Sequence, residues 1–273
     1  MSGDWIRCEN PRLIPQQRSK EHDKLESQMM SRRFAVMFAL VASLTCLDAC
    51  SDQYSAAPIT AHVVDGETGK PLAGVNVVAH WQLHGGLEGG TPLGAVMVME
   101  TVTDDDGRFH FPAWGPKEVQ RPSGVYGNAR VQGSAPELLL FKSGYKHGWA
   151  LNYYGGDPDP RNMRSLWDGK VIKLEPFHGT SAEYAWDLKG LSYALDSATA
   201  FANWSCSAGK PCPAACQWQN IPKTIQAIGR QFKAFKAEGI DHNNIYSSLM
   251  NNDEIVRKDG CASPISILQG DGK

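Results

Sequence analysis

The chain lacks an excess of charge: 27 Lys and Arg stand against 29 Asp and Glu, a formal net charge of −2, and neither sign forms a long run. Nucleic-acid binding needs a basic face that displaces counterions from phosphates, so that class of partner is not expected. Long hydrophobic runs are also missing. The longest, Phe34 to Leu47, has roughly 14 residues, short of the roughly 20 a membrane-crossing helix requires. No H-E-x-x-H, G-x-S-x-G, phosphate loop or dinucleotide fingerprint occurs, which removes the catalytic classes those motifs signal. C-x-x-C and C-x-x-C-H are absent too, so neither a redox dithiol nor a haem attachment is expected. A hydrolytic triad assembled from dispersed residues is a lesser alternative, because geometry rather than spacing makes a triad. The expectation is a non-enzymatic protein with no cofactor and no metal.

What is present begins with an address. Ser31-Arg32-Arg33 precedes the apolar run, and small residues lead to a break at Leu47-Asp48-Ala49-Cys50. A positive segment, a short apolar core and a small-residue break form a secretory signal. The break resembles the lipobox of bacterial lipoproteins, with Asp48 departing from the small or apolar residue usual there. That resemblance implies cleavage before Cys50 and lipidation of its thiol, and Ser51 after it implies the outer membrane, facing the periplasm or the surface. Residues 1–28 are charged and unpatterned and are set aside as a non-native or disordered extension, with 29–49 as the signal. Without residues 1–49 the chain keeps 20 basic and 23 acidic residues.

Residues 50–58 read as a short tether. Ile59, Ala61 and Val63 then alternate with polar neighbours as a half-buried strand does. Asp65 to Pro71 is a turn, its glycines permitting positive φ. Val75, Val77, Ala79, Trp81 and Leu83 share one strand face. Gly85 to Gly94, with five glycines, reads as a loop. Val96 to Thr103 is a third strand, and Asp104 to Gly107 closes it into a hairpin with Arg108 to Phe111, with Phe109 and Phe111 inward. Pro112 to Ser134 and Trp149 to Trp167 are irregular loops.

This order resembles the carboxypeptidase regulatory-like domain, a transthyretin-like, Ig-like antiparallel β-sandwich. The matching residues are Val64-Asp65, Thr68-Gly69, Pro71-Leu72, Gly74-Val75, Val77, Thr103, Asp106-Gly107 and Phe109. Later, Pro136 to Phe141 with Gly144-Tyr145 and Val171 to Leu174 are similar to its closing strands. The resemblance implies a mostly β fold over 59–176 and no particular reaction, since such modules are mostly accessories.

Residues 177–273 read as a small helical extension. Tyr184, Leu188, Leu191, Leu195, Ala198 and Ala202 fall at helical spacing, with Ser181 as N-cap. A second helix follows Pro222, with Ile221, Ile225, Ile228, Phe232 and Phe235 on one stripe and Gly239 as its stop. A short helix is expected around Asn243 to Met250. Cys206, Cys212, Cys216 and Cys261 remain once Cys50 is lipidated, and in an exported chain an even count reads as disulfides. Three connectivities are open, with Cys206–Cys216 and Cys212–Cys261 preferred.

Two groups of candidate ligand residues stand out. Trp149, Tyr153, Tyr154 and Trp167 crowd one loop and offer aromatic faces to a sugar ring or an envelope protein partner, against the plainer reading that they cover the sandwich edge. His62, His80, His84 and His110 belong to the strands. His80, His84 and Glu88 are the nearest approach to a metal set, against the plainer reading of solvated histidines on an outward face. Asp104 to Asp106 and Asp157-Pro158-Asp159 lack the regular ligand spacing of a calcium loop and read as turns.

Overall fold

Alternating apolar residues dominate the front of the chain, and strands follow from them. The structure, a computed structural model, describes residues 51–120, 127–152, 159–199, 217, 219–240 and 266. The chain divides into two units, Met1–Ala49 and Cys50–Lys273, and all that follows concerns the second. The described part is mostly β. Its strands are β1 (Ser51–Ala56), β2 (Ile59–Asp65), β3 (Asn76–Gly85), β4 (Thr91–Val102), β5 (Arg108–Phe111), β6 (Trp114–Gln120), β7 (Arg130–Val131), β8 (Glu137–Phe141), β9 (Gly148–Ala150) and β10 (Val171–Leu174). Two helices follow, α1 (Ser181–Thr199) and α2 (Pro222–Ala237).

The strands form a ribbon, β1-β6, a three-stranded sheet, β10-β2-β5, and a five-stranded sheet, β4-β3-β8-β9 with β7 also on β3. One apolar core joins the latter two. Ile59, Ala61, Val63, Phe109, Phe111, Ile172 and Leu174 face Val77, Ala79, Trp81, Leu83, Leu138 and Leu140 across it. Trp114 closes one side, its ring edge-on to Trp81 at 5.2 Å and 80°. Each large side chain removed from water here contributes about 1.5–3 kcal/mol.

A buried threonine ties the turn after β2 to the strand ends. Thr103 Oγ1 donates to Leu72 O at 2.7 Å and accepts the Val75 N–H at 2.9 Å. The Asp65 turn is held the same way. Asp65 Oδ1 accepts the Thr68 N–H and hydroxyl, at 2.7 and 3.0 Å, and Tyr145 donates its hydroxyl to Oδ2 at 2.8 Å.

Several expectations are corrected. The tether is a strand: β1 begins at Ser51 and pairs antiparallel with β6, itself inside the stretch expected to be irregular. The Gly85 to Gly94 loop is shorter, because β4 starts at Thr91. β4 and β5 are not a hairpin. The Asp104 turn carries the chain from one sheet to the other, where β5 pairs with β2. The sheets are not wholly antiparallel, since β10 runs parallel to β2.

The helices cover the second face of the five-stranded sheet. Val78, Val98, Leu139 and Phe141 pack there against Tyr184, Leu188, Leu191, Leu195, Ile221, Ile225, Ile228, Phe232 and Phe235. Both expected stripes are therefore buried over their described residues, Tyr184 to Leu195 and Ile221 to Phe235, while the burial of Ala198 and Ala202 lies outside them, and β3 is covered on both faces. The cap of α1 is Thr180 rather than Ser181. Thr180 N–H and Oγ1 donate to Glu183 Oε2 at 2.7 and 2.9 Å, and Thr180 Oγ1 accepts the Glu183 N–H at 3.3 Å, a reciprocal capping box. Gly239, at φ +74, ends α2 as expected. Among the described residues no helix is long and apolar enough to cross a membrane.

Candidate functional site

β3 alternates, so Asn76, Val78, His80, Gln82 and His84 project toward the helical side. Register with β8 places His80 opposite Glu137 and Val78 opposite Leu139, while Leu139 in turn faces Trp149 of β9. The apolar part of this face lies under the helices. The polar part continues beyond Val78 and gathers five chemistry-bearing side chains.

Glu137 is the hub. Its Oε2 lies 3.4 Å from His80 Nε2 and accepts the Trp149 indole N–H at 3.2 Å. His84 Nε2 sits 3.1 Å from Gln82 Oε1. His80 is buried, 1% exposed, whereas Trp149 is 54% exposed. The carboxylate therefore clamps a solvent-facing indole by its N–H and a buried imidazole by its Nε2.

Electrostatics follow the geometry. Burial works to raise the Glu137 pKa, but the His80 hydrogen bond and charge and the Trp149 N–H outweigh it and hold the carboxyl below its usual range. Burial lowers the His84 pKa, with the neighbouring His80 adding to the effect, against the Gly90 carbonyl and Glu137. A His–carboxylate pair is the orienting half of a general base, but the free nitrogen must reach a substrate. His80 Nδ1, the nitrogen such a base would use, is buried and has no hydrogen-bond partner among the described residues. The reading of His80 as a solvated outward residue is thus overturned: it is 1% exposed and held against Glu137 of the neighbouring strand.

The aromatic loop is divided. Trp149 stands at the surface on β9. Trp167 packs against the core shared by the three- and five-stranded sheets and donates its indole N–H to Leu151 O at 3.1 Å, so it covers the sheet edge. Tyr153 and Tyr154 lie outside the described residues, as do Cys50, Cys206, Cys212, Cys216, Cys261, Asp157 and the stretch from Asn243 to Met250. Asn152, fully buried, pins the loop ends: its Nδ2 donates to Ala135 O at 2.7 Å and its Oδ1 accepts the Leu166 N–H at 2.9 Å.

The remaining candidates resolve into local structure. His110 Nδ1 pairs with Thr60 Oγ1 at 2.9 Å. Asp104 Oδ1 accepts the Asp106 and Arg108 N–H groups, at 3.1 and 2.8 Å, as a turn aspartate does. Among the described residues no three His, Cys, Asp or Glu side chains gather to hold a metal.

Sequence reasoning missed Glu137, Gln82 and Asn152. A lone carboxylate opening an otherwise apolar strand was the available signal for Glu137. It also missed the exposed aromatics of α1, where Lys189 Nζ lies 4.7 Å from the Trp186 ring centre and Tyr193 follows one turn on.

No family model matches the chain, and no curated protein matches it. Among solved structures it is similar to 3-chlorocatechol 1,2-dioxygenase from Rhodococcus opacus, at 15% identity and TM-score 0.27 over 47% of this chain and 62% of that one. It is similar to hydroxyquinol 1,2-dioxygenase from Pseudomonas putida at 13% identity and TM-score 0.24, over 47% and 59%. It is also similar to the C-terminal domain of the shaft pilin SpaA from Lactobacillus rhamnosus GG, at 11% identity and TM-score 0.19, over 46% and 99%. The chain spans about six tenths of the length of the two dioxygenases. Likeness at this level carries no argument about activity.

Proposed function

We propose that the chain is a non-enzymatic, lipid-anchored protein of the bacterial cell envelope, with a binding or structural role at the membrane surface. Its mature part would be a transthyretin-like β-sandwich of the carboxypeptidase regulatory-like kind, followed by a disulfide-stapled helical extension. The observation that carries the address is the leader from Ser31 to Cys50. Binding is favoured over chemistry because the histidine–carboxylate pairs are spent joining elements. His80 meets Glu137 between β3 and β8, and His147 meets Asp187 of α1 at 3.1 Å. Metabolic labelling with an alkynyl fatty acid tests the anchor. Label on the membrane-fraction protein, lost in Cys50→Ala, is the expected result, and an unlabelled protein of full length in the cytosol refutes it.

A second reading, glycan binding, is favoured by Trp149. An indole 54% exposed yet fixed by Glu137 offers a sugar ring a preset face with little rotamer entropy to lose. Glycan-array binding abolished by Trp149→Ala would support it. A silent array would leave the structural role.

A further inference from the structure

At the other end of the strands from His80, a groove of about 340 Å³ opens between the sheet and α2. We propose that it binds a small organic phosphate, the phosphoryl group seated between Lys142 and Arg230. Both cations line the groove, together with Asn76, Ser143 and Gln231, and no acidic side chain lines it. Uncompensated positive charge in a concave, partly desolvated place attracts an oxyanion, and guanidinium and ammonium are the donors that hold phosphate best.

Each donor has capacity to spare. Lys142 Nζ uses one of its three hydrogens on Ala73 O, at 2.8 Å. Among the described residues no side chain pairs with Arg230, which is exposed. Gln231 Oε1 accepts from the Ser143 hydroxyl, a contact that fixes one wall and leaves the Gln231 amide hydrogens for a ligand. Asn76 is buried at the floor, its Nδ2 3.4 Å from Phe141 O.

The helix sequence makes the space. Ala227 and Ala234 lie three residues before and four after Arg230, so all three share one face of α2. Longer side chains at either alanine would fill the groove. Its volume exceeds that of inorganic phosphate, leaving room for a hydroxylated remainder over the alanines and against Asn76 and Gln231. A phosphorylated sugar has that shape and that chemistry.

The test uses the full mature chain, titrated with inorganic phosphate, glucose 6-phosphate and uncharged glucose and followed by heteronuclear NMR. Glucose 6-phosphate is expected to shift the Arg230 side-chain and Ser143 backbone signals, and glucose to shift neither. Arg230→Gln should weaken binding about tenfold or more, the usual worth of a hydrogen bond to a charged group. Ala234→Leu, at an exposed position that should not disturb folding, should block the sugar phosphate while sparing inorganic phosphate. Lys233→Gln removes a neighbouring cation outside the groove and should leave affinity unchanged. No shift with either phosphate, an equal loss in Lys233→Gln, or unaltered glucose 6-phosphate binding by Ala234→Leu would each overturn the proposal.

Discussion

Glu100, on β4, caps α2 through Thr224. Its Oε2 accepts both the Thr224 N–H and the Thr224 hydroxyl at 2.9 Å, while its Oε1 accepts the Lys223 N–H at 2.8 Å. Ile221, the helix's own N-cap, has no side chain able to do this. The unpaired N–H groups of a helix start are therefore satisfied by a carboxylate from a sheet, some 120 residues earlier in the chain. Negative charge there also suits the helix dipole.

Glu100→Ala is accordingly expected to destabilise the protein by about 1–2 kcal/mol, the usual cost of a lost cap. Urea unfolding checks it. An unchanged midpoint would mean the cap is dispensable. Glu100→Gln, which keeps an acceptor and loses the charge, should fall between.

Gly107 should not tolerate a side chain. It sits at φ +69, and a Cβ would land on the carbonyl oxygen of Val63 and close to Leu72 N, both backbone atoms. Gly69 has the same φ with open space around it. Gly69→Ala should therefore cost only the left-handed strain, about 1–2 kcal/mol, and Gly107→Ala distinctly more. Equal melting temperatures for the two variants would contradict the close approach.

Tyr184 should limit stability in alkali. Burial pushes its hydroxyl up to about 12, while its oxygen accepts the Gly144 N–H at 3.0 Å. A phenol whose folded pKa exceeds its unfolded value of about 10 keeps its proton in the native state and loses it on unfolding. Its contribution is therefore complete below pH 10 and disappears as pH rises toward 12. Tyr184→Phe should lower stability at neutral pH by about 1 kcal/mol yet flatten the alkaline decline. Unfolding curves across that range would show an identical slope if the account were wrong.

Glu137 should act in acid. Its folded pKa is depressed, so the stability it contributes is present above the ordinary carboxylate value and lost as pH falls through the folded one. His84, lowered by burial, adds to this, since the unfolded chain takes up that proton first as pH drops below about 6.5. Glu137→Gln should blunt the acid-induced loss of stability while keeping an acceptor for the Trp149 indole N–H. The Trp149→Phe difference fluorescence spectrum should then lose its pH dependence. A wild-type acid slope in Glu137→Gln would refute the linkage.

Local periodicity made much of the β architecture legible. Val77 to Leu83 and the Phe109/Phe111 pair face inward as their two-residue spacing implies, and the Ile221 to Phe235 stripe faces the sheet. What could not be read were relationships set by distant segments. Nothing near Val78 announces that helices beginning a hundred residues later will bury it. Ser51 to Ala56, with few strand-favouring residues, becomes a strand because β6 supplies hydrogen-bonding partners. The Asp104 turn looks like a hairpin turn locally, and only tertiary context sends β5 to β2. For the candidate site, Trp149 could be singled out by residue type, whereas the carboxylate that orients it belongs to another strand.

The start of β1 at Ser51 bears on how an acylated Cys50 would behave. Ser51 is already in register with Gln120, so only one peptide link would separate the fatty chains from a paired ribbon. Such a molecule would have no leash. It would stand against the headgroups in a narrow range of tilts and present the same flank to its surroundings. Inserting a flexible spacer after Cys50 would loosen that posture while leaving the folded body unchanged.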